Sequence, residues 1–172
     1  MVLGLAGTAA ACLVLVRPPC LVVRDHSGTV VLAARLPREG FALRFRHSVT
    51  REPVWEYLRE APGGGLQLFA TAFGGGGGAG LPSDEPGARV SLEGRWVVMR
   101  DLDRRFQSIT LHPVPIGEHR IVVGSRQWQT LSLLGGAGTA VLTVERQPTL
   151  VVIRSQLSNP GKRGVSRERE GP

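Results

Sequence analysis

Lysine is almost missing from this 172-residue chain: Lys162 stands alone, and arginine supplies every other basic side chain. Aromatic residues are scarce at 5%, and there are only two cysteines, Cys12 and Cys20. Each shortage excludes something. A net charge of +7 invites a nucleic-acid reading, but base stacking needs cations interleaved with aromatic side chains, and the sequence shows no such run. The charge is also dispersed: the tail from Arg154 to Pro172 carries +3 of it and the body the rest. No nucleic acid is therefore expected as a partner. Two cysteines cannot make a disulfide framework or a metal set, and no His/Cys/Asp/Glu spacing matches a metal site. Neither metal nor cofactor is expected.

Long apolar runs are lacking too, with one partial exception. Val2 to Val16 carries no charge. It is shorter than the ~20 residues that span a bilayer, yet it suits a secretory signal or short anchor. Ala9-Ala10-Ala11 before Cys12 resembles a small-residue cleavage site, although no basic residue precedes the run. A buried first strand or helix is the alternative. The reading adopted is a signal or anchor over 1–17 and a single domain over 18–153, followed by a disordered basic tail over 154–172.

After Pro18, β-type segments alternate with Gly, Pro and Asp breaks. Strands are expected at Cys20–Arg24, Thr29–Arg35, Phe41–Val49, Val54–Arg59, Leu66–Phe73, Arg95–Arg100, Gln107–His112, Arg120–Val123, Thr139–Glu145 and Thr149–Ile153. Only Gln127–Leu134 suits a short turn of helix. Many short strands between turn signals, such as Asp25-His26-Ser27-Gly28, imply an all-β antiparallel sandwich or barrel of about 9–10 strands.

Phe41 to Leu58 is the most informative stretch. Alternation puts Phe41, Leu43, Phe45 and His47 on one face and Arg44, Arg46 and Ser48 on the other. With Thr50–Pro53 as the loop, apolar matching sets Val49 opposite Val54, His47 opposite Glu56 and Phe45 opposite Leu58. A His–Glu pair on an apolar face must satisfy itself. It either orients His47 for acid, base or ligand chemistry or serves strand register alone. Ser48 points away from His47 and cannot be its nucleophile. The run Gly74–Gly80 can turn backbone N–H groups toward an anion, but no Gly-Lys-Ser/Thr follows, so a P-loop is excluded. Otherwise it is a flexible connection. His112 and His119 read as surface or edge residues, the three tryptophans as core or rim, and Arg104-Arg105 as part of a solvated turn.

His47-Ser48-Val49, Pro53-Val54, Glu56 and then Gly78-Ala79-Gly80-Leu81-Pro82 together resemble a bacterial family, the domain of unknown function numbered 1850. The resemblance runs from about Cys20 to Arg146. It implies a small extracytoplasmic protein, secreted or N-terminally anchored. Members are often encoded beside TAXI-type TRAP transporters, which import organic acids or amino acids. It carries over no catalytic residue, only the hallmark positions His47, Ser48, Glu56, Gly78, Gly80 and Pro82, taken as binding positions. The expectation is a non-enzymatic accessory protein that binds a small anionic solute or a transporter subunit and touches the membrane only through its N-terminal segment. The alternatives are a small hydrolase using His47 and Glu56, and a structural envelope protein.

Overall fold

The computed structural model describes residues 17–76 and 85–163. The expected leader over 1–17 lies outside them except for Arg17. Among the described residues, twelve strands form two antiparallel sheets. The smaller sheet has the order β2-β1-β11-β8, built from β1 (Pro19–Arg24), β2 (Val30–Arg35), β8 (Ile109–Leu111) and β11 (Ala140–Arg146). The larger has the order β12-β10-β9-β3-β4-β5-β7-β6. Its strands are β3 (Phe41–Arg46), β4 (Pro53–Glu60), β5 (Leu66–Phe73), β6 (Arg89–Glu93), β7 (Trp96–Phe106), β9 (Arg120–Val123), β10 (Arg126–Gln129) and β12 (Lys162–Arg163). Helix α1 (Thr130–Leu133) is a single turn, and α2 (Thr149–Ser158) is the longer helix.

The core lies between the sheets, where every second residue turns inward. Leu21, Val23, Leu32 and Leu142 of the small sheet meet Leu43, Leu58, Met99 and Ile121 of the large one, all almost fully buried. This is an all-β sandwich. The Asp25 turn forms as its residues dictate: the Asp25 carboxylate accepts from the Ser27 and Thr29 amides at 2.9 and 3.0 Å, and Gly28 takes φ +83°.

Several segments depart from expectation: β6 was not anticipated, and Gln127–Gln129, read as the start of a helical turn, belongs to strand β10. Thr149–Ile153, read as a strand, begins α2, which continues through Ser158 into the expected tail. Its β-branched residues favour strand locally, but a helix here seals the edge of β2. The Ala33 amide donates to Ser155 Oγ at 2.7 Å, and Asn159 Nδ2 donates to the Val31 carbonyl at 3.0 Å. Tertiary contact overrides propensity. Lys162–Arg163 then pairs with β10. Arg104-Arg105 belongs to β7 rather than to a turn, Arg104 lying opposite Leu68.

The β3–β4 register is the main correction. Phe41 stands opposite Leu58, Leu43 opposite Glu56 and Phe45 opposite Val54. His47 therefore does not face Glu56. Strand β3 stops at Arg46, and a loop from His47 to Glu52 closes through His47 N–H to Glu52 O at 2.9 Å and Arg51 N–H to His47 O at 3.0 Å. Arg51 ends that turn at φ +62°. Phe41–Leu58 and Phe45–Val54 are apolar matches as good as the expected ones, so matching alone could not choose between registers. The longer loop chose. It docks on the turn Pro115–Gly117, with Arg46 ion-paired to Glu118 at 2.9 Å and Arg51 donating to the Ile116 carbonyl at 3.4 Å.

Candidate functional site

Strand β4 turns Val54, Glu56 and Leu58 toward the core side and Trp55, Tyr57 and Arg59 to the other face. The inner set leaves a carboxyl, Glu56, half-buried beside Leu43 of β3 and Thr71 of β5. Thr71 does not serve it, since the threonine hydroxyl donates to the Trp55 carbonyl at 3.1 Å. Arg104 is the nearest influence, but it pairs with Glu85 at 2.5 Å. Among the described residues Glu56 has neither hydrogen bond nor ion pair. Burial raises its pKa above the ordinary value of 4.5, and the Arg104 charge offsets this only in part.

The other hallmark positions separate. His47 sits in the hairpin loop, half-buried, its Nδ1 accepting from the Thr50 amide at 3.2 Å. Ser48 is exposed. Gly78, Gly80 and Pro82 lie outside the described residues. The acid–base pair of the hydrolase reading is thus not assembled. The start of the glycine run does reach the β3–β4 hairpin, however. Gly74 and Gly75 pack on Pro53 and Glu52, and a Cβ at Gly75, which has φ +78°, would lie 2.6 Å from Glu52 Cδ.

His119, expected at the surface or an edge, is half-buried and is the second titratable group on the inner face. It stacks on Phe45 with centroids 5.5 Å apart at 14°. Its Nδ1 is buried without a partner, and burial lowers its pKa from 6.5. Gly117 makes room, because a Cβ there would lie 2.5 Å from His119 Cε1. The alternation His119, Ile121, Val123 was the available signal, Ile121 and Val123 both being core residues. Leu43 pairs with both Glu56 and Ile121, and His119 lies two residues before Ile121, so a whole strand and a two-residue offset separate the carboxyl from the imidazole. They do not form a directly hydrogen-bonded acid–base pair. No group of three His, Cys, Asp or Glu residues among the described residues gathers in a way that could hold a metal ion.

The opposite face of the large sheet collects what the sequence scatters. The Arg44 guanidinium lies 5.5 Å from the Trp55 ring centroid, directly across the β3–β4 pair. Trp55 stacks on Tyr57 at 6.2 Å, and Tyr57 approaches Phe69 at 6.4 Å. Arg59 lies 4.8 Å over Phe69, and Arg95 lies 5.7 Å over Trp96. Ala42, Ala70 and Ala72 form a low floor on which the rings lie, while Ala72, Trp96 and Val98 pack beneath Trp55 and Tyr57. Burial raises the Tyr57 pKa. Arg100 is held by Glu93 and Ser91, whereas the Arg59 and Arg95 side chains are exposed, Arg59 bonding only the neutral Gln67 at 2.9 Å. A cavity of about 360 Å³ opens among Arg59, Phe69, Ala70 and Arg100, with the carboxylates of Asp101 and Asp103 also on its lining. Sequence order hid this cluster because its members sit on five strands and meet only across the sheet.

A family model described as "Domain of unknown function (DUF1850)" matches residues 41–129, which takes in both faces just described. No curated protein and no solved structure matches the chain.

Proposed function

The chain belongs to the DUF1850 family, and on that premise we propose that it is a non-catalytic, extracytoplasmic accessory protein of TAXI-type TRAP uptake. It docks a transporter subunit through the arginine–aromatic face of its large sheet. One observation carries this reading: Trp55, Tyr57, Phe69 and Trp96 are each flanked by an arginine or another ring on one rigid surface. Tryptophan, tyrosine and arginine are the side chains that concentrate binding energy at protein interfaces. Their heads suit an acidic surface, toward which a net charge of +7 would also steer the protein. The Glu56 end is a poorer place for an anion, because a carboxyl already costly to ionise repels one further.

The test is calorimetric titration of the chain with purified TAXI-type TRAP subunits from the same source. Arg59→Glu should weaken binding about tenfold, as expected for a charge at an interface core, while Arg38→Glu, on the exposed β2–β3 connection, should not. Absence of binding to every subunit, or equal affinity for both variants, would defeat the proposal.

A further inference from the structure

Helix α2 is inside out. A surface helix normally turns its apolar stripe to the core and its polar face to water. Here the polar side faces the protein: Ser155 bonds the β2 edge, and Gln156 accepts from Arg126 at 2.8 Å. Only Val152 is buried, against Cys20 and Val22 of β1. Leu150, Ile153 and Leu157 fall within roughly 60° of one another on the outward side. They are 51%, 41% and 77% exposed. Three aliphatic side chains in a row facing away from the core call for a partner.

Two further observations say what kind of partner. First, the chain carries no acidic residue between Glu145 and Glu168, while Arg146, Arg154, Lys162, Arg163 and Arg167 fall in that interval. Arg154 sits on the outward side of α2 itself. Aliphatic residues set among cations, without acids, match the headgroup and upper acyl region of an anionic bilayer. Second, Pro18, which follows the uncharged run Val2–Val16 in sequence by two residues, is held beside the start of this helix. The Gln147 amide donates to the Pro18 carbonyl at 3.3 Å, two residues before α2 begins, and β1 starts at Pro19.

We propose that the outward face of α2 rests on an anionic lipid bilayer, lying in its interface. The helix would add a second membrane contact to that of the run, and two weak contacts hold a protein where one does not. This surface is distinct from the arginine–aromatic face of the large sheet, and the inference stands without the partner reading.

The experiment uses the full chain with vesicles of phosphatidylcholine and phosphatidylglycerol whose acyl chains are brominated to quench tryptophan. Leu157→Trp places a probe on the outward face of α2. Val90→Trp places one at an exposed position on β6, the far edge of the other sheet. Both variants keep the apolar run, so the difference between them reads α2 alone. Beyond the signal of the wild-type chain, Leu157→Trp should add about threefold or more the quenching that Val90→Trp adds, as expected for a residue seated in the interface. Equal quenching by the two, or failure of the chain to float with the vesicles, would overturn the proposal. Self-association abolished by Leu150→Ser with Leu157→Ser, without lipid quenching of Leu157→Trp, would assign the face to a second copy and overturn it as well.

Discussion

A carboxyl on an apolar sheet face is costly to ionise, and among the described residues the arginine that acts on Glu56, Arg104, is already paired with Glu85. Its folded pKa is raised above 4.5, so the native state holds a proton longer than the unfolded chain does. Stability from this group is complete below the ordinary value and declines as pH rises through the raised one. Glu56→Gln should therefore melt above wild type at neutral pH and converge with it in mild acid. Melting curves at the two pH values check this, and a lower melting temperature for the variant at neutral pH would refute it. His119 works in the other sense, its lowered pKa costing stability as pH falls below 6.5. Backbone geometry makes Gly40 as exacting as either group. It has φ +90°, and a Cβ would sit 1.9 Å from the Leu58 carbonyl oxygen. Gly40→Ala should cost roughly 2–3 kcal/mol in denaturant unfolding, combining strain with displaced backbone.

At the scale of the element, alternation was readable and register was not. The parity of Phe41, Leu43, Arg44 and Phe45 follows from the residues alone, because a half-buried strand shows one apolar side. Choosing which residue stands opposite Glu56 required the length of the hairpin loop, which is set by contacts with Pro115–Gly117, some seventy residues along the chain. The same holds for α2. Thr149, Val151, Val152 and Ile153 read as strand, yet the segment is a helix because Ser155 and Asn159 must reach the edge of β2. Ser155→Ala should then cost about 1 kcal/mol, the net worth of the bond to the Ala33 amide. Hydrogen exchange should show the Ala33 amide losing protection before the core strands do. Unchanged protection at Ala33 would mean the edge is sealed by something other than that hydroxyl.

Across the whole molecule, charge matters by where it gathers. A net +7 spread through the sequence says little about partners, but folding brings Arg44, Arg59 and Arg95 over aromatic rings on one face. If that face docks an acidic subunit, added salt should weaken wild-type binding more than binding of Arg59→Glu, because the variant has lost part of the screened attraction. Parallel salt dependences would place the contact elsewhere.

The order of apolar and polar residues was sufficient by itself for an antiparallel all-β chain, the Asp25 turn and the inward side of each main strand, since those depend on neighbours one to four residues apart. The family could also be recognised, but not how His47 and Glu56 are arranged. The separation of His47 from Glu56, the buried setting of His119, the arginine–aromatic face and the inverted helix α2 were decided by tertiary structure. Each depends on packing between segments far apart in the chain, and no local pattern encodes the loop lengths and edge contacts that bring them together.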